Sequence, residues 1–288
     1  MKMKIKLGLA LSVLSGIALS VFMIICNLKY VDPYTLLVTP SGMVTAFMVL
    51  CTAAVVLAFA LPYFTLGKID VSDEAPNSSF LIFSSSLLGF LFAGYVLHAI
   101  VSPLREMLGS VSLPSADIES FGKLLRVLYI AGVVLAVPSA VYFILVAVKK
   151  TVAKNSLMSI LATSPVLFCA VKLVAAFMST SAKVNSAGRR ITIVTFCLCI
   201  FFFLYEAILL APKNDSDGED KDSVRVSRRY IASGYAAIVA LLTSKASLTV
   251  LQAFWLIEVS DTYILNGIYI TMILYIMARI NMVSVKKI

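Results

Sequence analysis

The chain has 288 residues, 60% of them hydrophobic and 14% charged, with a mean hydropathy of +0.99 and a formal net charge of +9. Soluble domains carry about a quarter charged residues, so this composition excludes an ordinary soluble fold. The apolar residues fall into repeated runs of about 20, each long enough to cross roughly 30 Å of hydrocarbon. Continuous runs, as opposed to alternating ones, select helices over a barrel. The expected fold class is all-α, a polytopic transmembrane helical bundle of about eight spans.

The basic residues sit at the ends of the apolar runs. That is the pattern of membrane orientation and of contact with anionic lipid headgroups, not the single basic face that nucleic acid requires. The expected partners are therefore the lipid bilayer and its headgroups, and no nucleic acid. Cys26, Cys51, Cys169, Cys197 and Cys199 all lie within or at the edge of apolar runs. No polar link holds a cysteine pair, so neither a disulfide framework nor a metal site is expected.

Taken in order, the spans are expected near residues 7–26, 42–65, 80–103, 124–148, 157–178, 191–211, 230–256 and 262–283, forming one transmembrane domain over 1–288. Lys2, Lys4 and Lys6 precede the first run, which is too long for a signal-peptide core and lacks a small-x-small site before Asn27; it reads as an uncleaved span. Asp32-Pro33 and Pro40 punctuate the first link, and Gly67–Ser79 is a polar turn. In Ser102–Lys123 the apolar positions Leu104, Met107, Leu108 and Val111 fit a short amphipathic helix on the membrane surface. Pro138 and Pro165 should kink the fourth and fifth spans. Lys213–Arg229 is the most polar stretch, acidic first and basic last, and reads as a flexible charged cytoplasmic loop. Thr243-Ser244-Lys245 interrupts the seventh span.

An even number of spans puts both termini on one side. Segments on that side hold about twice as many lysines and arginines as the opposite links, which makes both termini cytoplasmic in a multi-pass plasma-membrane protein.

The polar groups inside the runs carry the functional reading. Two adjacent spans, Leu157–Ala211, hold Lys172 and Glu206, and a charge in hydrocarbon is paired, turned inward or functional. On straight helices Lys172 lies roughly 6 Å outward of the midplane, Lys245 close to it and His98 roughly 10 Å outward, with Glu206 in the cytoplasmic half. Lys172 and Glu206 differ by roughly 13 Å in depth, too much for a direct pair. Thr249 and Gln252 follow Lys245 at i+4 and i+7, so the seventh span has a polar outer face. Tyr95, His98, Ser102 and Arg105 form a second stripe on the third span, and Asn266 of the eighth lies at a similar depth. His98, Lys172, Glu206, Lys245, Thr249, Gln252 and Asn266 are the candidate ligand-binding residues. They would line an outward-facing cationic cavity for a small anionic or zwitterionic solute, with Glu206 beneath as counter-ion or proton carrier. The structural reading of the same residues has the lysines snorkelling outward and Glu206 paired with Lys245 or with the arginines of the sixth-to-seventh link.

No Walker loop, GxSxG or HExxH is present and no span holds paired carboxylates, so no catalytic residue is assigned and no cofactor is expected. A lysine in the seventh span invites a retinal reading, but the third span lacks a carboxylate in its apolar part and there is an eighth span. The stretch Pro165-Val-Leu-Phe-Cys-Ala-Val-Lys172, together with Phe-Leu-Tyr205-Glu206-Ala, resembles uncharacterised eight-span integral membrane proteins of Gram-positive bacteria. That resemblance covers the central third of the chain and implies a fold and a cytoplasmic-membrane location, with no activity to carry over. The expected function is small-solute transport by a permease-like protein. The rival is a non-transporting membrane partner, sensor or assembly subunit acting through its cytoplasmic loops.

Overall fold

A computed structural model describes residues 2–30, 42–66, 69–72, 78–108, 119–149, 155–178, 187–212, 220–254 and 263–287. Its helices are α1 (Lys2–Tyr30), α2 (Gly42–Thr65), α3 (Ser79–Leu108), α4 (Glu119–Val148), α5 (Ser156–Met178), α6 (Ala187–Leu210), α7 (Asp220–Leu241), α8 (Ser247–Ala253) and α9 (Tyr263–Met282). A π-helical turn, Leu242–Ala246, joins α7 to α8 without a break, so the two form one span. Among the described residues, eight helices are long and apolar enough to cross a membrane: Met3–Tyr30, Gly42–Thr65, Ser79–Val101, Leu124–Val148, Ser156–Met178, Arg189–Leu210, Val224–Ala253 and Tyr263–Met282. The chain is an all-α, multi-pass integral membrane protein.

The helices α3, α4, α5, α6, α7 and α9 close a ring in which each packs on the next and α9 returns to α3. The remaining pair, α1 and α2, lies outside the ring and packs on α7. This makes the seventh span the centre of the molecule. Of its most apolar stretch 72% is buried, against 17% for the second span, and every residue from Tyr230 to Leu241 is buried. Small residues allow that crowding, because helix backbones in a bilayer approach closely only where side chains are short. A Cβ on Gly234 would lie 2.5 Å from Ile280 Cδ1, and one on Gly8 of α1 would lie 2.8 Å from the Tyr235 ring, whose hydroxyl donates to the Ile5 carbonyl at 2.7 Å.

One end of the bundle gathers the elements that an even number of spans requires. Lys4 Nζ donates to the Thr65 carbonyl at 3.5 Å, Asn155 N donates to the Leu210 carbonyl at 3.1 Å, and the Ser78 hydroxyl meets Met282 Sδ at 3.3 Å. At the same end β1 (Ile69–Ser72) and β2 (Ser284–Lys287) form an antiparallel ribbon with Asp70 opposite Lys286. The second-to-third link is thereby tied to the segment after the last span.

Two local expectations change. The charged stretch 213–229 is helical from Asp220, because no proline or glycine interrupts 219–233 and Asp220 and Asp222 in the first turn suit the positive end of the helix dipole. Residues 213–219 lie outside the described residues. The surface helix expected in Ser102–Lys123 is instead, as far as Leu108, a continuation of α3; residues 109–118 lie outside the described residues. Pro165 sits within α5, and the carbonyl it leaves unsatisfied, that of Leu161, accepts from the Ser164 hydroxyl at 2.7 Å.

Candidate functional site

The ring is filled by aromatic side chains. Phe168 of α5 meets Phe92 of α3 edge to face at 5.0 Å, Phe92 stacks on Phe143 of α4 at 5.7 Å, and Phe143 meets Tyr275 of α9 at 5.0 Å. Phe203 of α6 packs against Phe143 and Tyr275 from the side. All five are fully buried. This column links the two charges of the α5–α6 pair. At its end away from the chain termini Lys172 donates to the Tyr95 hydroxyl at 3.3 Å and lies over the Tyr95 and Phe168 rings at 5.1 and 5.6 Å. Gly132 leaves room for the Lys172 stem, whose Cε would be 3.9 Å from an added Cβ.

At the end of the column nearer the chain termini, about one turn before α6 stops, Glu206 is fully buried. Its Oε1 accepts from Tyr275 at 2.9 Å and from Arg279 Nε at 2.5 Å. Because Tyr275 donates to Glu206, the hydroxyl of Tyr142 is the donor in the 3.3 Å contact between the two tyrosines. Arg279 keeps 13% of its side chain exposed and so connects the cluster to the end of the bundle. Glu206 Oε2 has no hydrogen-bond partner among the described residues.

This corrects the expected pairing of Glu206. Its counter-ion is Arg279, one turn from the end of the last helix, and neither Lys245 nor an arginine of the sixth-to-seventh link. The reason is depth: Lys245 Nζ sits beside Phe196, and Phe196 precedes Glu206 on α6 by ten residues, about 15 Å. The sequence held a signal for the true pair. Tyr275 and Arg279 are four apart on one helix, so they face the same way.

Lys245 lies in the π turn, 4% exposed, with its ammonium 4.7 Å from the Tyr269 ring centroid and 5.5 Å from that of Phe196. A π turn inserts one residue into a helix and is found disproportionately at functional sites. Here hydroxyls occupy the interrupted segment. Thr195 of α6 bonds Ser244 at 2.9 Å, Thr243 donates to the Val239 carbonyl at 2.8 Å, and Ser247 donates to that of Thr243 at 2.5 Å. One turn outward, Thr249 donates to the Lys245 carbonyl at 2.7 Å, and beyond it Asn266 Nδ2 donates to Gln252 Oε1 at 2.5 Å. Asn266 Oδ1 is buried with no hydrogen-bond partner among the described residues.

The Gln252–Asn266 contact places α8 and α9 antiparallel with residue 249 near residue 269. The Lys245 side chain, in reaching Tyr269, has therefore climbed about one turn toward Gln252. Lys245, Gln252 and Asn266 accordingly follow one another where the seventh and eighth spans meet, with Phe196 and Tyr269 beside Lys245, while Thr249 is half-buried one turn beyond Lys245. Lys172 lies apart from these, between α3, α4 and α5, and Glu206 is at the opposite end of the column. His98 is exposed one turn beyond Tyr95. The side chains of Ser102 and Arg105 lie outside the described residues. Among the described residues, no group of three or more His, Cys, Asp or Glu side chains is placed to hold a metal ion.

Compared with known protein families, with curated proteins and with solved structures, the chain matches none.

Proposed function

We propose that the protein is a small-solute transporter of the cell membrane, with both termini cytoplasmic, that takes an anionic or zwitterionic solute from the outer side. The observation that carries this reading is the α8–α9 seam. A lysine buried at mid-membrane beneath two aromatic faces, one turn from an amide pair with an unanswered acceptor, offers both a cation and a hydrogen-bond acceptor to a ligand. Lys172, on the same side of the mid-plane by helical rise, gives the approach a positive field. The aromatic column below them closes the path toward Glu206, the arrangement expected of a transporter caught between its open states.

The test is uptake by the purified protein in liposomes, with a panel of small organic anions and zwitterions. At least one should enter faster than into protein-free vesicles, and Lys245→Met should cut its apparent affinity by roughly tenfold or more, the worth of one charge-assisted hydrogen bond. Uptake indistinguishable from empty vesicles across the panel would remove the reading. A second reading, a non-transporting subunit or sensor, is favoured by the β1–β2 ribbon, which fixes an ordered surface at the terminal end of the bundle. On that reading, Val71→Pro, which places a proline in the middle of the ribbon, abolishes function while Lys245→Met leaves it intact.

A further inference from the structure

The carboxylate at the inner end of the column has a feature that ion pairing does not explain. Both of its donors, Tyr275 and Arg279, converge on Oε1, and Oε2 is left fully buried with no hydrogen-bond partner among the described residues. An ordinary structural ion pair places a guanidinium across both oxygens, since a bidentate fork answers the charge on each. A buried carboxylate with one unanswered oxygen is costly if that oxygen carries half a negative charge. A proton on Oε2 removes that charge while Oε1, then the carbonyl oxygen, keeps both donors, and the charge left on Arg279 sits on a side chain that is 13% exposed.

We infer that Glu206 Oε2 is a proton-binding site, loaded and unloaded at the inner end of the bundle beside Arg279. A proton arriving from water attaches to Oε2 without displacing Tyr275 or Arg279, and leaves by the same bond. The groups facing it are Tyr275 and Arg279 from α9, Tyr142 from α4 and, beside Arg279, Tyr230 from α7. Ionised, the Glu206–Arg279 pair is neutral; protonated, it carries the single positive charge of Arg279. Loading a proton therefore makes the buried path more attractive to an anion, so proton and anionic solute travel in the same direction. That last step rests on the transport reading, whereas the proton site does not.

The experiment is infrared difference spectroscopy of the full-length protein in lipid, exchanged between alkaline and acidic buffer. Acidification should bring up the C=O stretching band of a buried carboxylic acid, and Glu206→Gln should lose that band. Tyr275→Phe keeps the ring and removes one hydrogen bond to Oε1, so it should move the band to higher wavenumber. It also keeps the test decisive if Glu206→Gln fails to fold. The same difference spectrum in Glu206→Gln as in the parent protein, or a band unmoved in Tyr275→Phe, overturns the inference. Because no solute is present, the result stands apart from the uptake assay. If uptake exists, an acid-outside gradient should speed it in the parent protein and have no effect in Glu206→Gln; gradient-dependent uptake surviving in Glu206→Gln overturns the coupling.

Discussion

Glu206 at the inner end of the aromatic column is met by an opposite charge and a hydroxyl, whereas Lys245 in the α8–α9 seam is met by the faces of Tyr269 and Phe196. The two solutions differ in what they leave over. A carboxylate held by an arginine is committed to that contact, and removing the arginine strands a charge in a medium that cannot solvate it. An ammonium over aromatic rings is attracted by the ring quadrupole, which makes little directional demand on it. The first arrangement ties α6 to α9 through an ion pair; the second seats a cation against rings of the same two helices.

The largest expected effect breaks the inner arrangement. Arg279→Gln should lower unfolding stability in detergent micelles by about 3–5 kcal/mol, the usual consequence of orphaning one member of a buried pair. Next comes the central helix on which both regions depend. Gly234→Ala forces a Cβ to within 2.5 Å of Ile280 Cδ1 and 3.2 Å of the Phe202 ring, and should cost about 1–3 kcal/mol in the same measurement. Ser164→Ala exposes the Leu161 carbonyl that Pro165 cannot serve and should cost about 1 kcal/mol, with a larger bend in α5 visible as faster amide hydrogen exchange around 161–165.

Lys245→Met should move stability by about 1 kcal/mol or less, since the thioether keeps a favourable contact with both rings. Its effect should appear in solute affinity instead. A large stability loss with unchanged affinity would make Lys245 a structural lysine and erase the contrast. The smallest effect is expected for the amide pair: a double-mutant cycle of Gln252→Leu and Asn266→Leu should give a coupling of about 0.6 kcal/mol, typical of hydrogen bonds between transmembrane helices.

The eight spans were legible because each run of about 20 apolar residues states its own length. The interruption at Thr243-Ser244-Lys245 also showed in the sequence, as did the polar face of Lys245, Thr249 and Gln252 at depth with Asn266. What the sequence withheld was direction around each helix axis and the order in which helices pack. Rise per residue gives depth, so it separated Lys172 from Glu206, but it could not say that a column of Phe168, Phe92, Phe143 and Tyr275 joins them. Arg279 was hidden for a related reason. Near the end of the last span it counts toward the positive cytoplasmic side, and only packing of α9 into the ring turns it inward to Glu206. Tyr142 and Tyr275 read as packing aromatics, since a tyrosine's hydroxyl announces itself only once its neighbour is known.

The most direct test compares two double-mutant cycles by unfolding in the same detergent, one on Glu206→Gln with Arg279→Gln and the other on Glu206→Gln with Lys245→Met. Here the prediction is a coupling of at least about 1.5 kcal/mol for the first, with the double variant more stable than Arg279→Gln alone, and a coupling near zero for the second. Equal coupling in the two cycles, or a larger value for Glu206 with Lys245, would contradict the division between an ion-paired inner end and an aromatic-caged outer seam.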